Sequence, residues 1–319
     1  MTTPSDFRPR RTRLGWWALA PAVGLACLLY YAFGAWSAHV IDTDPNFQPA
    51  RIPAPTQSRA VALASALIRR EIDVHSWTAN DPFFQPGWVL HDMPQYQQGI
   101  IAAIGRFAAG LAERNAEAAG GNYLANAASL LRYPPTIWRF DLSKSLLPMT
   151  STEKQYRRAA YAFEDYNQAL DENRATLDRR PEALAAALAD IRDDLAATAT
   201  TIEAAVGERP GDLFGRRPAT VYYGAKGHLY ADSLLLRELG WDYAQLISDR
   251  GLGVQWRHLL DGLAVVAAQS PVMVFNATPD STLLPSHLAA QGFFILRARQ
   301  QLAEIVAALG KPVSASAPP

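Results

Sequence analysis

Hydrophobic and polar residues alternate along most of this chain with the period of a helix, and the one stretch that escapes that period is apolar on every side. From Gly15 to Ala38 it reads GWWALAPAVGLACLLYYAFGAWSA, without a charged residue. As a helix this run would be about 36 Å long, enough to cross a hydrocarbon core of about 30 Å. Trp16 and Trp17 mark its start, and Tyr30, Tyr31, Phe33 and Trp36 its end, where amphipathic rings meet the headgroups. A cleaved signal sequence would carry a shorter apolar region, about 7–15 residues. Although Ala35, Ser37 and Ala38 offer a small-residue cleavage site, the length predicts a retained anchor. Arg8, Arg10, Arg11 and Arg13 precede the run, whereas Asp42 and Asp44 follow it. The positive-inside bias then predicts a cytoplasmic N-terminus and everything after Val40 outside.

Beyond the anchor, Pro45, Pro49, Pro53 and Pro55 predict a semi-stiff extended linker that gives the rest of the chain reach. Helical periodicity then takes over. Val61, Ala64, Leu67 and Ile68 share one face of a helix over 57–73, with Thr56 placed to cap it. Ile100, Ile101, Ile104, Phe107 and Leu111 share a face over 94–118, and a short helix follows Gly120 and Gly121. Tyr156, Phe163, Leu170 and Leu177 recur every seven residues, and Leu184, Leu188, Ile191, Leu195, Thr198 and Ile202 alternate four and three apart. The short link through Pro181 predicts that these two seams face each other as an antiparallel hairpin. Further helices are expected over 219–248, bent near Gly224 or Gly227, over 253–269, and from Ser286 through Leu288, Ile295, Leu302 and Leu309. Val272 to Phe275 could form a short strand. The predicted fold class is all-α: a single N-terminal transmembrane helix followed by an extramembrane helical bundle. Its parts are a basic cytoplasmic N-terminus (1–14), the transmembrane anchor (15–40), the proline-rich linker (41–55), a helical periplasmic domain (56–310) and a disordered tail (311–319).

Composition supports an ordered chain, with 49% hydrophobic and 19% charged residues. Lys+Arg and Asp+Glu both number 30, but four arginines and one aspartate lie in the first 13 residues, so the remainder is mildly acidic. That disfavours nucleic acid as a partner. The only cysteine, Cys27, lies inside the apolar run, which excludes disulfides and cysteine-ligated metal outside it.

Two segments are less generic: Trp88 to Gly99 (WVLHDMPQYQQG) and Met149 to Arg158 (MTSTEKQYRR). With the N-terminal anchor, their order over roughly residues 10–310 resembles the proteobacterial family catalogued as domain of unknown function 2333. The resemblance implies an inner-membrane protein of Gram-negative bacteria. It brings no catalytic residues to carry over.

Signatures of chemistry are sparse. Ser151-Thr152-Glu153-Lys154 fits S-x-x-K, but the companion elements of penicillin-interacting serine enzymes are missing, and Thr150 to Glu153 reads as a capping box. The six histidines form neither H-x-x-x-H nor H-E-x-x-H, so no metal site and no cofactor is expected. A cell-wall lytic enzyme would need a glutamate of raised pKa, for which Glu153, Glu164 and Glu172 are the candidates. The remaining candidates sit in long loops: Trp77, Asp81, Trp88, His91 and Asp92 before one helix, and Trp138 before another. Long ordered loops carry binding sites more often than short ones, but aromatic residues there also plug the ends of bundles. The expected function is a non-enzymatic periplasmic interaction or envelope-maintenance module. Its expected partners are the lipid bilayer (through residues 15–38) and other envelope proteins or peptidoglycan, with self-association left open by the heptads.

Overall fold

A computed structural model describes residues 16–140, 147–208, 216–269, 271, 274–276 and 286–311. The basic N-terminus, the first half of the Val272–Phe275 stretch and the tail beyond Lys311 lie outside these. Among the described residues the regular structure is helical throughout: α1 (Trp16–Ala38), α2 (Arg59–Arg69), α3 (Asp92–Arg114), α4 (Gly121–Leu131), α5 (Thr152–Asp171), α6 (Pro181–Glu208), α7 (Arg216–Asp242), α8 (Ala244–Asp249), α9 (Gly253–Ala268) and α10 (His287–Leu309). A π-turn continues α2 from Arg70 to Val74, and a 3-10 turn covers Pro86–Val89. Val274 and Phe275 belong to no strand; next to them only an isolated bridge joins Asn276 to Ser286.

The first helix, α1, is long and apolar enough to cross a membrane, and none of its window from Leu19 to Ala38 is buried by the rest of the chain. The other helices pack by their apolar faces around one continuous core. At its centre α3 crosses α7. One group of helices (α2, α4, α5) and another (α6, α9, α10) each join this pair. Glycines permit the crossing. A Cβ on Gly99 would fall on the Gly224 carbonyl oxygen, and one on Gly227 would fall on the Tyr96 carbonyl, its carbon 2.9 Å away. The two backbones touch where side chains would hold them apart, and α7 runs through both glycines without a break.

The heptad seams are buried, but they do not face each other. Tyr156, Phe163 and Leu170 of α5 pack towards α2 and α4. Leu184, Leu188, Ile191, Leu195 and Ile202 of α6 are buried chiefly against α10, whose own seam is Leu288, Ile295, Leu302 and Leu309. The coiled-coil-like pair is therefore α6 with α10, not α5 with α6. The reason is the connection: α5 stops at Asp171, so residues 172–180, Leu177 among them, form a loop long enough to redirect the chain.

Two expected caps also move. Ser58, not Thr56, starts α2, its Oγ accepting from Val61 N at 3.2 Å and donating to Asp242 Oδ2 at 2.7 Å. Thr56 instead donates to Asp171. The box at Thr150–Glu153 does not form. Ser151 precedes α5 without a side-chain cap, and Thr152 is turned inward to donate to the Pro134 carbonyl at 2.8 Å.

The proline segment has no regular structure, with turns at Pro45–Asn46 and Pro55–Thr56, and it is strapped to the domain. Proline lacks an N–H and the segment forms no helix or sheet, so its carbonyls accept from side chains elsewhere. Tyr96 donates to the Asp42 carbonyl (2.5 Å), Tyr230 to that of Asp44 (2.9 Å), and Arg237 to those of Pro45 and Phe47. The Arg70 guanidinium stacks on Phe47 (4.6 Å) and pairs with buried Glu71 (2.8 Å). The expected reach is thus taken up by contacts with α2, α3 and α7.

Candidate functional site

The structure divides the loop residues singled out by the sequence. Trp77 plugs: it is buried, edge-on to Tyr156 at 5.3 Å, with its indole N–H donating to the Pro135 carbonyl at 2.9 Å. Trp88 does the opposite and stands 57% exposed, as do Phe83 (69%) and Phe84 beside it in sequence. Trp138, itself half-buried, packs against that group. Phe83–Phe84, Phe84–Trp138 and Trp138–Phe140 form an edge-on row with centroids 5.4, 5.6 and 5.7 Å apart.

This row abuts α1. Tyr31 donates to the Phe83 carbonyl at 2.6 Å and Tyr30 to that of Phe84 at 3.2 Å. Gly34 receives the Pro86 ring, which a Cβ there would overlap. The polar candidates lie in different surroundings. Burial, helped by Glu153, pushes the Asp81 carboxyl up to about 6. Burial also raises Asp92, against the opposing effect of His39 and His91. His91 itself is exposed at the start of α3.

A second centre was missed by the sequence reading. Asp194 of α6 and His228 and Asp232 of α7 are all buried, and one ligand atom from each falls within 4.8 Å of the others. His228 Nε2 is 2.5 Å from Asp194 Oδ2 and 3.6 Å from Asp232 Oδ2. Arg106 of α3 brings Nε to 2.5 Å from Asp194 Oδ1. That contact is ionic only, because its angle is not that of a hydrogen bond, and Oδ1 has no hydrogen-bond donor. Asp232 Oδ2 also has none. Burial drives the Asp232 carboxyl up against the pull of His228. Burial alone would lower His228, but Asp232 and Asp194 carry it upward. The signal in the sequence was His228-x-x-x-Asp232, which places both side chains on one helical face as i,i+4 neighbours; a search for histidine pairs passes over it.

A groove of about 940 Å³ lies between the strap and α2. Three ion pairs run along its walls: Arg69 with Glu164 at 2.7 Å, Arg70 with Glu71, and Asp73 with Arg157 at 2.6 Å. Burial alone would raise Glu164, but hydrogen bonds from Arg69 and Ser65 hold it below its ordinary value, and bonds from Gln168 and Arg174 do the same for exposed Glu172. A general acid needs the reverse.

The fold and these sites define a helical-bundle protein carried on one helix of membrane-crossing length. Comparison with models of known families, with curated proteins and with solved structures finds no match to the chain.

Proposed function

We propose that the protein is a single-pass inner-membrane protein of the Gram-negative envelope, with a cytoplasmic N-terminus. Its helical domain sits on the periplasmic face and acts by contact with other envelope proteins or peptidoglycan, not by catalysis. The observation that carries this reading is the exposed aromatic row joined to α1. Tyr31 lies seven residues before the end of α1, roughly 10 Å along its axis. Phe83 and Phe84 therefore meet α1 within its apolar stretch, at the depth where amphipathic and aromatic groups enter a bilayer interface. The domain is thereby seated edge-down beside its anchor, and the strapped linker keeps it there. The arginines before α1 support this orientation, and the resemblance of Trp88–Gly99 and Met149–Arg158 to the inner-membrane family supports this choice of membrane.

With the aromatic edge turned to lipid, partners are met by other surfaces. The exposed Phe293 and Leu296 of α10 are the place to look. A photo-crosslinking residue at Phe293 in cells should trap a specific envelope protein or wall fragment. Trapping nothing above the background of an unmodified chain would sink the contact reading. A stable but inactive C-terminal alkaline phosphatase fusion would separately overturn the periplasmic placement.

A further inference from the structure

We propose that Asp194, His228 and Asp232 form a binding site for one divalent first-row transition-metal ion, Zn2+ or Mn2+, that clamps α6 to α7. Three observations carry it. The first is charge: two buried carboxylates face one guanidinium, Arg106, which leaves a negative charge in need of a cation or a proton. The second is the unpartnered Asp232 Oδ2, on a residue only 2% exposed and aimed at His228 Nε2 from 3.6 Å. A proton on Nε2 reaches Asp194 but lies too far from Asp232 for a hydrogen bond. It answers the charge and leaves one oxygen stranded.

A metal ion answers both. Metal–ligand bonds of about 2.0–2.2 Å place the ligands of a tetrahedral ion about 3.4 Å apart. The His228–Asp232 separation already matches. Asp194 needs only to draw back by roughly 1 Å from its 2.5 Å contact with Nε2. The third observation is access. A groove of about 310 Å³ lined by Gln95, Gln98, Thr198 and Thr201 reaches His228, giving an ion a way in and room for water as the remaining ligand. One imidazole with two carboxylates and no sulfur suits Zn2+ or Mn2+ better than Ca2+ or Mg2+. Asp194 lies on α6 and the other two on α7, so the bound ion stabilises the α6–α7 contact wherever the protein resides.

The test uses the full-length protein in detergent, stripped with a chelator and titrated with ZnCl2 and MnCl2 by calorimetry, with Co2+ absorption as a spectroscopic readout. Wild type should take up one ion of at least one metal, and its Tm should rise with metal. Asp232→Asn and His228→Gln should weaken that site by more than about 100-fold, beyond the loss of an outer partner, and abolish the Co2+ bands. Arg106→Ala should keep the stoichiometry. Folded wild type that takes up no ion, or an ion bound equally well by the folded Asp232→Asn or His228→Gln protein, overturns the proposal. Should both variants fail to fold, the wild-type titration and its Co2+ spectrum decide alone: bands lacking a histidine ligand overturn it.

Discussion

Gly224 and Gly227 lie on the same helix three residues apart, and alanine should act on them in opposite directions. At Gly224 an added Cβ meets only the Gln95 carbonyl oxygen, at 3.9 Å, an ordinary contact. Alanine there keeps the fold and gains the helix-propensity difference, about 1 kcal/mol. At Gly227 the Cβ would stand well under 3.0 Å from the Tyr96 carbonyl oxygen, and backbone cannot swing away as a side-chain tip can. The α3–α7 crossing must open, and both Tyr96 and Tyr230, which are fully buried there, lose contact. Overpacking of this kind costs about 1–3 kcal/mol. A rigid carbonyl places Gly227→Ala at the upper end, so about 2 kcal/mol remains after the propensity gain. For a domain of this size that lowers Tm by roughly 4–8 °C, whereas Gly224→Ala raises it by about 2–4 °C. Thermal unfolding of the full-length protein in detergent, followed by far-UV circular dichroism, reads both shifts. Shifts of the same sign, or a Gly227→Ala protein as stable as wild type, would refute the account of the crossing.

Three further outcomes are expected. Trp77→Ala should destabilise by about 3–5 kcal/mol and Trp88→Ala by no more than about 0.5 kcal/mol in urea titrations, since only the first is packed inside. Because folding raises Asp81 to about 6 from 3.8, the folded state binds its proton more tightly. Its ionised form therefore costs stability at neutral pH, and that cost is relieved as pH falls through 6 towards 3.8. Wild type should accordingly gain on Asp81→Asn between pH 7.5 and 4.5 in paired unfolding curves. Arg237→Ala removes two donors to the strap, bonds to a charged group worth about 1.5–3 kcal/mol each. Trypsin should then cut after exposed Arg51 roughly tenfold faster or more.

The helices were legible because their apolar positions repeat, and a repeat needs no partner to be seen. Leu184 to Ile202 announced a seam, but nothing in those residues says that it meets Leu288 to Leu309 a hundred positions on instead of Phe163 nearby. The same limit explains the strap, whose prolines exclude a helix while the arginines and tyrosines that hold it come from α2, α3 and α7. Exposure was ambiguous for a similar reason. Trp77 and Trp88 look alike in sequence, and only the Pro135 carbonyl and the Tyr156 ring make one a plug. The buried centre was hidden most deeply, because Asp194 reaches it from another helix and a histidine–aspartate turn reads as ordinary surface charge.

The central claim is that the domain rests its aromatic edge in the bilayer beside α1. It is tested most directly by a fluorophore on a single cysteine at position 84 or 293, in Cys27→Ser protein reconstituted into vesicles with brominated lipids. Phe84→Cys should give blue-shifted emission that the bromolipids quench, whereas Phe293→Cys, also exposed but far along the chain on α10, should stay water-like and unquenched. An unquenched, water-like probe at position 84 would contradict the account.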